Sequence, residues 1–320
     1  MVRWLDRLQR RSRAAGFVIA VIYKFVDDQG SYLAALITYY AFVSLFPLLL
    51  LMTTALGVVL AGHPDLQHQV MHSTLSQFPV IGDQLGEPHR LSGGAAGVII
   101  GIVGAVYGGL GVGNAIQNAM DTAWAVPRNK RPDPIRVRLR SAGLLCVLGS
   151  AVVGATVLSA LAHESSRLGL AGRAGVIAAA VAINAAVALV GFRVTTAREL
   201  SFRDVAPGAI TAAIVWQLLQ TFGATYVTHV IRSASRTNGV FALVLGLLAF
   251  LYVTALVLVI CAEINVVRVE RLYPRALLTP FTDDVSLTPG DQKTYIGQAK
   301  AQQAKGFQDI DVTFNPSKED

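Results

Sequence analysis

Charge is what this sequence has least of. Asp, Glu, Lys and Arg make up 15% of its 320 residues, against roughly 25% in ordinary soluble domains. Hydrophobic residues reach 53%. That balance excludes a disordered chain and a single soluble domain. Two cysteines exclude a disulfide framework. A Walker loop, a zinc motif, a nucleophile–base motif and an acidic metal cluster are also missing. A phosphodiesterase would need carboxylates that hold metal ions, and most of the 20 acids are scattered through loops and tail. No catalytic residues, no cofactor and no metal are therefore expected. No long internal repeat is visible, although a 3+3 inverted repeat of transporter type stays open.

What the sequence does have is long apolar runs. A bilayer core of ~30 Å needs about 20 mostly apolar residues. Six such runs lie at Leu33–Leu60, Ala95–Met120, Ala142–Ala162, Ala174–Phe192, Pro207–Ile231 and Val240–Val267. Backbone in lipid must satisfy its own hydrogen bonds, so each run is read as a helix. The net charge of +7 then resolves by position. Twenty-two Lys and Arg residues fall on one side of the six runs. The other side holds only Arg90, Arg167, Arg173, Arg232 and Arg236. Basic residues are retained on the cytoplasmic side, so both termini are placed there and no nucleic acid is needed to explain the charge.

Ala14–Val26 is apolar apart from Lys24 but too short to span. Residues 1–30 read as a basic, interfacial amphipathic segment, with Trp4, Leu5 and Leu8 on one face. The plainer reading is a positive anchor for the first span. Arg10, Arg11, Arg136, Arg138 and Arg140 are the expected contacts with anionic lipid. The expected fold is thus an all-α integral membrane protein. Residues 31–275 form six transmembrane helices behind the interfacial helix, and residues 276–320 a polar, disordered cytoplasmic tail. In the outer loop, Leu66, Val70 and Phe78 suggest a short amphipathic helix.

Three segments carry a family resemblance: AALITYYAFVSLFPLLLL at Ala34–Leu51, DTAWAVPRNKRPDPIRVRLR at Asp121–Arg140, and Val240–Asn265 ending LLAFLYVTALVLVICAEIN. With the six-span, both-ends-in plan they resemble the YihY / virulence factor BrkB family over roughly residues 15–275. Asn238-Gly239 stands where members often carry Tyr-Gly. The resemblance implies a multi-pass protein of the bacterial inner membrane. A ribonuclease BN label once attached to the family is generally regarded as a misassignment. Transport or export, of lipids among other substrates, has been suggested for members.

In the second run Asn114, Gln117, Asn118 and Asp121 share a helical face, with Tyr107 one heptad earlier. They read either as the wall of a cytoplasm-facing cavity or as interhelical hydrogen bonds. Tyr39, Tyr40 and Ser44 fall in the same inner layer, and Asn184, Gln217 and Gln220 nearer mid-membrane. Glu263 and Asn265 lie near the inner end of the last run. Glu263 is read as pairing with a basic residue such as Arg268, or as coupling a proton or cation. Gly97, Gly101, Gly104, Gly108, Gly109 and Gly113 are the expected helix-packing positions. His68 and His72, one helical turn apart, are a usable metal pair if helical, but nothing completes a site and loop histidines are the favoured reading of all six: His63, His68, His72, His89, His163 and His229. Cys146 and Cys261 read as buried thiols.

The leading functional expectation is transport or flipping of a lipid-like, amphiphilic substrate. A scaffold or partner subunit of an envelope complex is the alternative, and a membrane-bound hydrolase the third. Expected partners are membrane lipids, such a substrate, and an envelope protein or a second copy of the chain.

Overall fold

The structure, a computed structural model, describes residues 12–59, 94–147, 169–233, 236–279, 282 and 285–314. Among these, all regular structure is helical. The helices are α1 (Arg13–Asp27), α2 (Gly30–Val59), α3 (Gly94–Ala123), α4 (residues 134–147), α5 (Gly169–Thr195), α6 (Phe202–Ser233), α7 (Arg236–Glu270) and α8 (Pro289–Ala301). The contacts expected of Arg10 and Arg11, the outer-loop helix, the second half of the third run and the loop histidines lie outside the described residues. His229 falls within α6, but its side chain is not described.

Local chemistry sets the helix ends. Ser12 caps α1, its hydroxyl accepting from the Ala15 amide at 3.4 Å. Gln29, at φ 54°, turns the chain from α1 into α2. Asp133 caps α4, its carboxylate accepting from the Arg136 amide at 2.9 Å. Pro134 follows at the first helical position, where a missing N–H costs nothing. Ser201 and Asp204 close a reciprocal box at the start of α6.

Two helices among the described residues are long and apolar enough to cross a membrane by length and composition, Ala174–Thr195 and Val244–Glu270. Gly30–Leu45 is a shorter apolar stretch. Only 6% of the apolar stretch of the first is covered by the rest of the chain, whereas the core helix of a soluble domain would be mostly covered.

α2 packs most extensively on α3, and α5 and α7 flank α6. α7 also touches α1, α2 and α3, so it sits at the hub. Glycines in α3 let its neighbours approach. A Cβ on Gly104 would lie 2.6 Å from the Pro47 ring, and one on Gly108 would lie 2.4 Å from Ser44. Gly109 and Gly113 face α4 instead, against Leu145 and Ser141. Gly101 is buried, and the surroundings of Gly97 are not described.

Two expectations need correction. The tail is not uniformly disordered. Thr288 and Asp291 cap α8 reciprocally, Pro289 occupies its first turn, and the carboxylate of Asp291 is fully buried. A polar composition concealed a helix held by one buried charge. Cys261 is buried as expected, but Cys146 is exposed; it lies on the side of α4 that no other described helix covers.

Candidate functional site

At one end of the bundle, charged side chains are buried between α1, α3, α7 and α8. α1 turns Gly16, Ala20, Val21 and Lys24 inward, positions one helical stripe apart. Lys24, almost wholly buried, donates to the Asp28 carboxylate one turn on, and to the Ala123 carbonyl at the C-terminus of α3 at 3.0 Å. Its ammonium lies 3.6 Å from Oε2 of Glu263, which is wholly buried. Burial would depress the Lys24 pKa, but Glu263, Asp28 and Asp27 outweigh it and leave it raised. The ammonium therefore stays charged.

A second cluster adjoins the first. The wholly buried Arg275 donates through Nε to Asp291 at 2.5 Å and through Nη2 to Asp27 at 2.7 Å. The rings of Tyr23 and Tyr295 flank its guanidinium at 5.8 and 5.9 Å. Asp291 also accepts from the Ala276 amide at 2.9 Å. Tyr23 donates to the Leu277 carbonyl at 2.7 Å. Burial raises the Asp27 pKa, and Arg275 only partly offsets it.

Beside these clusters opens a cleft of about 470 Å³. The α1–α2 turn supplies Asp27, Asp28, Gln29, Tyr32 and Leu33; α3 supplies Asn118 and Thr122. Arg128 and Arg131 come from the following loop, and Gln298, Ala301 and Gln302 close the cleft from α8. Gln298 donates to Asp28 at 2.9 Å. Arg131 donates to Asn118 Oδ1 at 3.0 Å and to the Val126 carbonyl at 3.3 Å. Partial burial lowers its pKa while Asp121 opposes the shift.

The residues singled out from the sequence do not converge on one wall. Only Asn118 lines the cleft, with Glu263 buried close by. Gln117 turns to α4, donating to the Val137 carbonyl at 3.0 Å and Ser141 Oγ at 2.9 Å. Asp121 accepts from the Ala197 amide at 2.7 Å and so holds the α5–α6 loop. Asn114 and Tyr107 are exposed, Tyr107 at 63% among apolar neighbours. Tyr39 is exposed and meets Tyr40 edge-on, while Tyr40 packs over Gly111. Ser44 is buried and donates to the Ala41 carbonyl at 3.0 Å. Asn184, Gln217 and Gln220 are half-buried in α5 and α6. Asn265 accepts from the Gly208 amide at 2.7 Å, pinning α7 to α6 just after Pro207. Glu263 pairs with Lys24 and not with Arg268, which donates to the Arg203 carbonyl at 2.9 Å. Five residues along a helix is about 140° around it, so Arg268 points elsewhere. Of the arginines expected to meet lipid, Arg136 and Arg138 are exposed on α4 and Arg140 is half-buried.

Lys24, Asp27, Asp28, Arg131, Arg275 and Asp291 were not singled out. Two signals were present: the Lys24…Asp28 spacing of one helical turn, and Thr288-Pro289-Gly290-Asp291, a capping box with Pro at its first position.

Comparison with known proteins gives three findings. The model of the family described as virulence factor BrkB matches residues 21–282. The ribonuclease-like protein YfkH of Bacillus subtilis (strain 168) is 24% identical over 281 residues, covering 80% of this chain and 96% of that protein. No solved structure matches.

Proposed function

The chain belongs to the virulence factor BrkB family, and from that premise we propose that it is a membrane transporter or flippase for a lipid-like, amphiphilic substrate. In this reading it is a multi-pass protein of the bacterial inner membrane. It has six spans, in α2 to α7, both termini are cytoplasmic, and it carries out no catalytic step. α1 lies at the inner interface, which accounts for its two apolar stripes. One stripe packs on α7, and Val18, Ile22 and Val26 form the other, uncovered by protein.

The observation that carries the proposal is the cleft and the buried charges behind it. Ionised groups within a membrane bundle are costly, and they mark substrate and ion paths. Here Lys24, Asp28 and Glu263 back a polar cleft whose rim carries Tyr32 and Leu33. A headgroup fits the polar part, and the adjoining apolar surface of α2 suits an acyl chain.

The test uses proteoliposomes carrying a fluorescent phospholipid whose outer-leaflet population is quenched from outside. Purified protein should move label between leaflets faster than protein-free liposomes do. Arg131→Gln and Glu263→Gln should each slow it at least tenfold. No movement by the parent protein, or full rates in both variants, would refute the assignment.

A further inference from the structure

A second cleft, of about 550 Å³, lies between α4 and the α5–α6 loop. Arg140 of α4, Arg193 in the last turn of α5 and Arg198 of the loop converge on it, and the segment from Thr196 to Ser201 forms its floor. The guanidiniums of Arg193 and Arg198 are held in place by something other than an anion in the cleft. Arg193 lies 4.1 Å from the Phe202 ring centroid, and Arg198 5.3 Å from that of Trp124. Arg198 also makes an exposed bridge to Glu270 at 2.7 Å, the kind of pair that contributes little. Nη1 of Arg140 is buried and has no hydrogen-bond partner among the described residues. A buried donor left unmet is costly, so an oxygen ligand would be welcome there. The acids nearby are Glu199 in the lining, Glu270 on Arg198, and Asp121 of α3, whose carboxylate is engaged by the Ala197 amide.

The geometry points to a phosphate-binding site in this cleft, shaped for the headgroup of an anionic phospholipid. Guanidinium forks match the oxygens of a phosphate in plane and spacing. The cleft sits where α5 ends and α6 begins, beside the second turn of α4, directly beyond the uncovered apolar surface of α5. A lipid seated there would lay its tails along that surface. This site stands apart from the transport cleft, shares none of its lining residues, and does not depend on transport being the function.

Trp124, beneath Arg198, supplies the readout. The full chain in neutral detergent is titrated with dihexanoyl phosphatidylglycerol, dihexanoyl phosphatidylcholine and inorganic phosphate, following tryptophan fluorescence. Phosphatidylglycerol should give a saturable change at least tenfold tighter than phosphatidylcholine. Arg140→Gln with Arg193→Gln should weaken it at least tenfold. Lys300→Gln with Lys305→Gln, which changes the same charge outside the cleft, should alter it less than twofold. Saturation by inorganic phosphate that displaces phosphatidylglycerol would keep the phosphate site and assign it to the free ion. Should the first double variant not fold, Arg193→Lys keeps the charge without the fork and should still weaken binding severalfold. No saturable probe, unchanged affinity in the cleft variants, or equal losses in both double variants would overturn the site.

Discussion

Asp291→Ala should release the end of the chain without unfolding the bundle. Asp291 is a hub. One carboxylate takes hydrogen bonds from Arg275 Nε at 2.5 Å, from the amides of Ala276 and Thr288 at 2.9 Å each, and from Thr288 Oγ1 at 2.7 Å. Removing it leaves Arg275, which has no exposed surface, one carboxylate short. Losing one partner of a buried ion pair costs roughly 3–5 kcal/mol, and a lost cap about 1 kcal/mol more. Part of this returns as α8 undocks and Arg275 reaches water, so about 4 kcal/mol is a fair figure, or about a thousandfold in the opening equilibrium. Hydrogen–deuterium exchange of the detergent-solubilised protein reads this directly. Amides of residues 290–301 should exchange about a thousandfold faster, and those in the middle of α7 at the parent rate. Asp291→Asn, which retains an acceptor for Thr288, should fall between. If α8 amides in Asp291→Ala exchange within threefold of the parent, the hub does not hold the tail and the reasoning fails.

Two further outcomes follow from the packing and the charges. Gly108→Ala should lower the melting temperature, because its Cβ would lie 2.6 Å from the Ser44 backbone, which has no room to give; overpacking of this kind costs about 1–3 kcal/mol. Gly175→Ala, with nothing within 4 Å, should be neutral or stabilising by up to about 1 kcal/mol, and identical melting of the two would sink the packing argument. Lys24 has a folded-state pKa above its ordinary 10.5, so its stabilisation is complete below about 10.5 and is lost as pH rises through the folded value. Melting scans from about pH 9 upward should show that loss setting in only above about 10.5, and Lys24→Met should lack it.

The helical architecture was legible because apolar runs of this length leave the backbone one solution. The inward spacing of glycines in α3 was legible too, since close approach has a fixed period. Which helix each glycine meets was not, because Gly108 and Gly109 are adjacent in sequence and face α2 and α4 respectively. The same limit applies to Asn114, Gln117, Asn118 and Asp121. Sharing a face sets their direction roughly, but that face meets α4, the Arg131 loop and the Ala197 amide within two turns. The buried clusters were less legible still. Lys24 looked like an interruption in an apolar run, and its partner Glu263 sits far along the chain in α7. Arg275 stood at the edge of the membrane domain, and Asp291 looked like a member of a polar tail. A buried ion pair between distant segments leaves no periodic trace.

That distance orders events at the ribosome. Asp27 and Arg275 are separated by 248 residues, and Tyr23 and Leu277 by 254. At about 5–20 residues per second, α1 emerges roughly 12 to 50 seconds before the chain that receives it. Through that interval Lys24 has counterions within reach in its own segment, Asp28 one turn along and Asp27 beside it. α1 thus leaves the ribosome with its own neutralising partners. Its docking records that α7 has arrived.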